Sequence, residues 1–200
     1  MEEINIEELR NDKEFLEKLK KLEDEVKESN SLAKIYQLLD IYLLLQEDEN
    51  KINELFQKVL DSSFETIAKK IEKGESLDLS NPEEWAAARG LYEHAISLFS
   101  QNQLKPAQEL FLALYHTIDD FEVKDAMMVH AAAIGRGYSF DDFVNKLTKI
   151  DENHLNVNNP KAVFITDFVQ PVDILLEMFK DEVEKLNKRL EKLKKAQEES

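Results

Sequence analysis

Histidine is the side chain best suited to proton transfer or metal binding near neutral pH, and the chain has four of them at scattered positions. They are His94, His116, His130 and His154. None follows the His-Glu-x-x-His or Glu-x-x-His spacing, which would place metal ligands on one face of a helix. Zinc and carboxylate di-iron sites are therefore not predicted, and a structural role is the simplest interpretation of His94.

Other catalytic patterns are equally weak. The segment Gly135-Arg136-Gly137 has only part of a dinucleotide-binding fingerprint, and no predicted strand precedes it. The sequence has neither a phosphate-binding P-loop nor a Gly-x-Ser-x-Gly motif, and the lack of cysteine excludes a thiol nucleophile, thiolate metal ligands and disulfides. We therefore predict no catalytic residue, no metal and no cofactor, and expect a protein that is not an enzyme.

The excess of acidic over basic residues limits the kinds of partner that the sequence predicts. Among 200 residues, 26 are Lys or Arg and 42 are Asp or Glu, a formal net charge of −16. A nucleic-acid partner is not expected, because binding to phosphates requires a basic face. The acidic N-terminus lacks the order of a secretory signal, and the most apolar stretch, residues 32–45, is too short and too polar to span a bilayer. We expect a cytoplasmic protein without stable membrane insertion.

The elements that would carry these residues are predicted to be helices. The four glycines and four prolines all lie between Gly74 and Pro171, and the segments outside are rich in Glu, Lys and Leu. No window alternates apolar and polar residues as an exposed strand does. The sequence therefore predicts an all-α fold.

Capping residues predict where the helices begin and end. Ser31 is a cap for residues 32–46, Asn81 with Pro82 opens a helix that runs to Ser100, and Ser139 is a cap for residues 140–150. Further helices are predicted over residues 6–26, over 52–71 as one helix or two, from Pro106 to Thr117, and over 124–134. A turn is predicted over Asp119–Glu122 and a loop over 151–160. Residues 161–169 have no assignment.

The C-terminal part predicts an amphipathic helix. Leucine, phenylalanine and valine residues from Leu176 to Leu193 follow one another at alternating spacings of three and four, which is a heptad pattern. Three arrangements are open: packing on its own domain, self-association, or pairing with the N-terminal helix. The predicted organisation is a helical region at 1–73, a core at 74–150, a loop or divergent repeat at 151–171, and the amphipathic, coiled-coil-like helix at 172–200.

Residues 91–114 carry the most specific pattern. Small residues at Ala95 and Ala107 would lie where two paired helices touch, and Phe99, Leu104 and Phe111 would fill the rest of their interface. This is the physical content of a tetratricopeptide helix pair. Residues 125–150 could supply a second pair, and the sequence therefore predicts a tetratricopeptide-like core.

This segment resembles the tetratricopeptide-repeat chaperones of type III secretion translocators, the LcrH/SycD-like or class II group. The residues that carry the likeness are Gly74, Ser76, Leu77, Leu91, Tyr92, Ala95, Phe99, Ala107, Phe111, Leu114, Asp119 and Asp120. The likeness covers residues 67–145. It departs from the family at Met128 and His130, where small residues are usual, and no clear third repeat follows.

The resemblance implies a concave groove that holds an extended segment of a client protein. The implied groove residues are Tyr92, Ile96, Phe99, Met127, Ala131 and Ile134. The alternative interpretation is that these side chains fill the core between helices.

The function expected from the resemblance is that of a non-enzymatic cytosolic chaperone. Such a protein would keep a secreted, translocator-like client soluble. The alternative is an acidic helical scaffold or adaptor, whose coiled-coil-like terminal helices would form a homo-oligomer.

Overall fold

The computed structural model describes residues 6–149 and 160–198, and in these ranges the fold is all-helical, with isolated bridges but no strand. The α-helices are α1 Ile6–Asn11, α2 Lys13–Glu28, α3 Leu32–Leu44, α4 Glu49–Lys73, α5 Pro82–Ser100, α6 Leu104–Thr117, α7 Phe121–Gly135, α8 Phe140–Leu147, α9 Val172–Met178 and α10 Lys180–Glu198. A single 3₁₀ turn covers Pro160–Val163. The all-α prediction is confirmed for the described residues.

Most helix starts follow the predicted caps. The side chains of Ser31, Asn81 and Ser139 each accept a backbone N–H in the first turn of their helix. The helical spacing over residues 6–26 is divided between α1 and α2, because Asp12 lies between them and caps α2. These local bonds satisfy N–H groups that have no partner inside the helix.

Several predicted boundaries were wrong: α3 ends at Leu44, α4 covers Glu49–Lys73 and α8 ends at Leu147, and α6 and α7 start earlier than predicted. The turn predicted over Asp119–Glu122 is shorter, because Asp120 accepts the N–H of Val123 and α7 begins at Phe121. Helix α6 begins at Leu104, two residues before Pro106. A proline in the first turn costs no intrahelical hydrogen bond, so the helix can start ahead of it. The loop predicted at 151–160 lies almost wholly outside the described residues.

The helices pack as a succession of neighbours. From α2 to α7 each helix contacts the next one along the chain, and α3 also contacts α5 while α4 contacts α6. In the predicted helix pair of α5 and α6, Phe99 and Phe111 are buried, Ala95 and Ala107 are fully buried, and Leu104 is partly buried against the same cluster. Packing between consecutive helices positions the central residues.

Two buried apolar clusters meet along α5. The first extends from Leu19 to Ala87 and joins α2, α3, α4 and α5, while the second extends from Ile67 to Leu186. Trp85 packs against both clusters. The core is therefore continuous through the organisational boundary predicted at residue 73, where α4 ends.

The C-terminal heptad pattern packs on its own molecule. The predicted single helix is interrupted at Phe179, which is buried between α9 and α10. Both helices contact α7, and the heptad residues Phe179 and Leu186 are buried in the second cluster, while the last heptad residue, Leu193, is exposed. This packing corresponds to the first of the three arrangements that the sequence left open.

Among the helices of the described ranges, none combines the length and the apolar composition that crossing a bilayer demands.

Candidate functional site

The structure places the six residues implied by the resemblance in one buried cluster or at its edge. Tyr92, Phe99, Met127, Ala131 and Ile134 are buried, and Ile96 is partly buried against the same cluster. The five buried side chains therefore do not face solvent. Whether any of them contacts a client stays a prediction, and their burial agrees with the alternative that they fill the core.

Aromatic rings dominate the centre of this region. We define the aromatic cluster as Tyr92, Phe99, Phe111, His130, Phe143, Phe164 and Phe168, all of them buried. The ring centroids of His130 and Phe143 are 4.6 Å apart, and those of Tyr92 and Phe164 are 5.1 Å apart. Edge-to-face and tilted pairs of this kind add stability beyond the burial of apolar area.

Hydrogen bonds assign the protonation of His130. Its Nδ1 lies 2.7 Å from the carbonyl oxygen of Ala126, so Nδ1 must carry the hydrogen and donate. Its Nε2 is then an acceptor, and the hydroxyl of Tyr92, 3.3 Å away, donates to it. The Tyr92 oxygen in turn accepts the N–H of Ile165 at 2.9 Å. A neutral chain of hydrogen bonds thus connects α7, α5 and the segment after residue 160.

Burial keeps both rings of this chain neutral. It lowers the pKa of His130 to about 4 by removing the imidazolium from water. It also raises the pKa of Tyr92 well above its usual range, although the N–H of Ile165 favours the ionised form. Neither group changes charge near pH 7. Their hydrogen bonds satisfy the buried polar atoms of Tyr92 and His130 and position the backbone of Ile165. We assign them no proton-transfer role.

A stretch that begins in the 3₁₀ turn and continues in non-helical backbone closes over the aromatic cluster. We define the covering segment as residues 161–169. It inserts Phe164 and Phe168 into the core while Asp167 and Val169 stay exposed. Its backbone pairs antiparallel with the residues after α8: Lys149 N–H donates to the Asp167 carbonyl at 3.0 Å. The covering segment is therefore held by backbone hydrogen bonds to Tyr92 and to the residues at the end of α8.

Sequence reasoning missed five members of the aromatic cluster as site residues. The sequence pattern marks His130 only as a departure from the family, Phe111 only as part of a helix-pair interface, and Phe143 only as lying within the possible second pair at residues 125–150. Phe164 and Phe168 were not identified at all. Their spacing of four between Pro160 and Pro171 is a signal that could have found them.

A second polar group joins α3 to α5. The Arg89 guanidinium donates two hydrogen bonds of 2.7 Å to the Asp40 carboxylate and one of 2.8 Å to Glu93. It also stacks 4.0 Å from the Tyr36 ring centroid, and the Tyr36 hydroxyl donates to Glu93. The adjoining cavity of about 310 Å³ is shallow. These mutually satisfied groups hold the two helices together.

Within residues 6–149 and 160–198, no three His, Asp or Glu side chains come close enough to hold a metal ion. Comparison of the chain with protein-family models, with curated proteins and with solved structures finds no match.

Proposed function

We propose that the protein is a non-enzymatic chaperone that binds an extended apolar segment of a secreted client. The client segment would lie on the aromatic surface formed by Tyr92, His130 and Phe143. The observation that carries the proposal is that this surface holds residues 164–169 of the same chain, a non-helical segment with two buried phenylalanines.

The chemistry of the surface suits such a ligand. Aromatic rings on three helices provide apolar contacts for anchor side chains, and the Tyr92 oxygen accepts a backbone N–H. Recognition of extended peptides commonly combines backbone hydrogen bonds with pockets for separate side chains. Both features are present in the contacts made by the covering segment.

The resemblance to translocator chaperones supports the choice of a secreted client and a cytosolic location. The net charge of −16 would keep a complex with an apolar client in solution.

Co-expression tests the proposal. The chain is produced together with each protein encoded next to its gene, and the soluble fraction and co-elution of that protein are measured. A client should become several-fold more soluble and co-elute. A Tyr92→Phe variant should capture less client because the backbone acceptor is removed.

The matched control is Tyr138→Phe. Tyr138 is a partly buried tyrosine whose ring packs on Phe179 of the C-terminal helices. This variant should behave as the wild type does. If no neighbouring protein gains solubility or co-elutes, the proposed function is wrong.

The alternative of a self-associating scaffold is favoured by one observation. Leu16 on α2 and Leu193 on α10 are exposed, so both terminal helices present apolar side chains to solvent. A scaffold of this kind would self-associate with increasing concentration in the absence of any client, and Leu193→Asp would weaken that association.

A further inference from the structure

We propose that the covering segment is an intramolecular occupant of the client site, and that the site selects client segments with aromatic side chains at positions i and i+4. This inference rests on the proposed function. It adds a sequence preference and a mode of regulation, since client and covering segment would compete for one surface.

The two buried phenylalanines of the covering segment define the proposed preference for aromatic side chains at positions i and i+4. Phe164 is fully buried and Phe168 nearly so, at 0% and 5% exposure. The Phe164 ring meets Tyr92, while the Phe168 ring meets His130 and Phe143 at centroid distances of 6.1 and 6.3 Å. The residues between the two anchors are half-buried or exposed. Phe164 and Phe168 are therefore the most deeply buried side chains of the segment, while Val163 and Ile165 are only partly buried against the same cluster.

Two backbone contacts of the segment do not depend on its sequence. The Ile165 N–H donates to the Tyr92 oxygen, and the Val169 N–H donates to the Leu147 carbonyl at 2.9 Å. Any non-proline residue provides the same backbone N–H. A client segment with the same aromatic spacing could replace these hydrogen bonds.

The helices below the covering segment are packed without its help. Helix α6 contacts both α5 and α7, and α8 contacts α5. The Phe99 ring lies against Phe140 and Phe143 of α8, at 5.5 and 5.7 Å between centroids. The surface that receives Phe164 and Phe168 is thus built from helices that hold one another in place.

One end of the covering segment is held by exposed charges. Lys161 pairs with Asp120 at 2.7 Å and with Glu122 at 3.2 Å, and all three side chains keep contact with water. Ion pairs of this kind contribute little stability. Release of the segment would therefore disrupt mainly the two aromatic anchors and their neighbouring backbone bonds.

Hydrogen exchange of the wild-type chain is the first test. If the segment opens by itself, the amides of Ile165 and Val169 should exchange at least about 10-fold faster than helical amides in α5 and α7. Exchange of both sets at the same rate, through global unfolding alone, would show that the segment is a fixed part of the core and would overturn the inference.

Peptide binding is the second test. A labelled peptide KAVFITDFVQ, which repeats residues 161–170, should bind a Phe164→Ala/Phe168→Ala protein at least about 10-fold more tightly than it binds the wild type. A peptide with both phenylalanines replaced by alanine should not bind either protein. The control is Val169→Ala, an exposed position of the same segment, which should bind as the wild type does.

Each outcome decides the matter. Equal binding by the double variant and the wild type contradicts the inference, and so does loss of helical circular dichroism in the double variant at pH 7. If the co-expression test succeeds while both of these tests fail, a client binds elsewhere and only this inference is wrong. If both tests succeed and no client is found, the covering segment still occupies a surface from which it can be displaced, but the proposed chaperone function is wrong.

Discussion

His130 is held in one protonation state and one tautomer by its neighbours. Its Nδ1–H donates to the Ala126 carbonyl of the preceding helical turn, and its Nε2 accepts the hydroxyl hydrogen of Tyr92. Protonation at Nε2 would place two donors face to face and a charge in an apolar cluster. The packing around His130 therefore requires that its ring be neutral.

This condition predicts that stability decreases in mild acid. The pKa of His130 is about 4 in the folded chain against 6.5 for an ordinary histidine, so the unfolded state binds more protons as the pH falls below 6.5. The loss begins near pH 6.5 and levels off near pH 4, where it totals about 3 kcal/mol. Urea unfolding at pH 7.5 and at pH 5 should show a difference of roughly 2 kcal/mol from this residue.

A His130→Asn variant separates this effect from that of the many carboxylates. Whatever its absolute stability, the variant has no titratable ring at this position, so its stability should fall less between pH 7.5 and pH 5. An identical pH dependence in the variant and the wild type would contradict the assignment of a buried neutral imidazole.

At the scale of the elements, α4 and α5 approach closely at Gly90. A β-carbon built on Gly90 would lie 2.5 Å from Ser63 Oγ and 2.8 Å from Val59 Cγ1, both closer than real β-carbons come. The Ser63 hydroxyl is itself buried and has no hydrogen-bond partner. The contact between these helices therefore depends on the absence of a side chain at residue 90.

We predict that Gly90→Ala destabilises the protein. Alanine favours the helical backbone by about 1 kcal/mol over glycine, but the overpacking should cost more, for a net loss of roughly 1–2 kcal/mol. Chemical unfolding measures this loss. Ser63→Ala alone should be neutral or stabilising, because it removes an unsatisfied buried hydroxyl.

The double variant makes the argument specific. If the new methyl group meets the Ser63 hydroxyl, Gly90→Ala should destabilise the Ser63→Ala protein less than it destabilises the wild type. A Gly90→Ala protein more stable than the wild type would show that the helices do not touch here.

The helices themselves were largely predictable because their signals are local. Ser31, Asn81 and Ser139 cap helices through bonds to residues two or three positions away, and the small residues Ala95 and Ala107 mark the contact of α5 with α6. The covering segment was not predictable in this way. Its bond from Ile165 to Tyr92 spans 73 residues, and its two anchors follow neither helical nor strand periodicity over a useful length.

A contact that is distant in sequence also explains why one C-terminal helix was predicted where the structure has two, α9 and α10. The heptad spacing from Leu176 to Leu193 continues through Phe179, so periodicity alone predicts one helix. The break at Phe179 places this ring in the core against Tyr138. Tertiary packing overrides the local pattern there.

At the scale of the whole molecule, the negative charge is the dominant electrostatic feature. The formal charge is −16, and many ion pairs lie on exposed helix surfaces, as between Lys18 and Glu14. Exposed pairs contribute little, whereas the excess of carboxylates repels itself within the folded chain. Added salt should therefore stabilise the fold, because it screens the repulsion among carboxylates more than it weakens the attraction within ion pairs.

We predict that the melting temperature at pH 7 is higher in 500 mM than in 20 mM sodium chloride. A gain of about 1 kcal/mol corresponds to about 2–4 °C for a chain of this size. The control is the same pair of salt concentrations at pH 4.7, the isoelectric point of the sequence, where the gain should vanish. A lower melting temperature in high salt at pH 7 would mean that the ion pairs outweigh the net repulsion.

The distance along the chain between Tyr92 and the covering segment has a consequence during synthesis. A ribosome adds about 5–20 residues per second, so Phe168 is added roughly 1–4 s after Leu147. Neighbouring helices form and pack in microseconds to milliseconds. Helices α5 to α8 of a nascent chain can therefore assemble before Phe164 and Phe168 reach them. Each newly made molecule would pass through a short period in which its aromatic surface is open, and a client segment present then would meet no competitor.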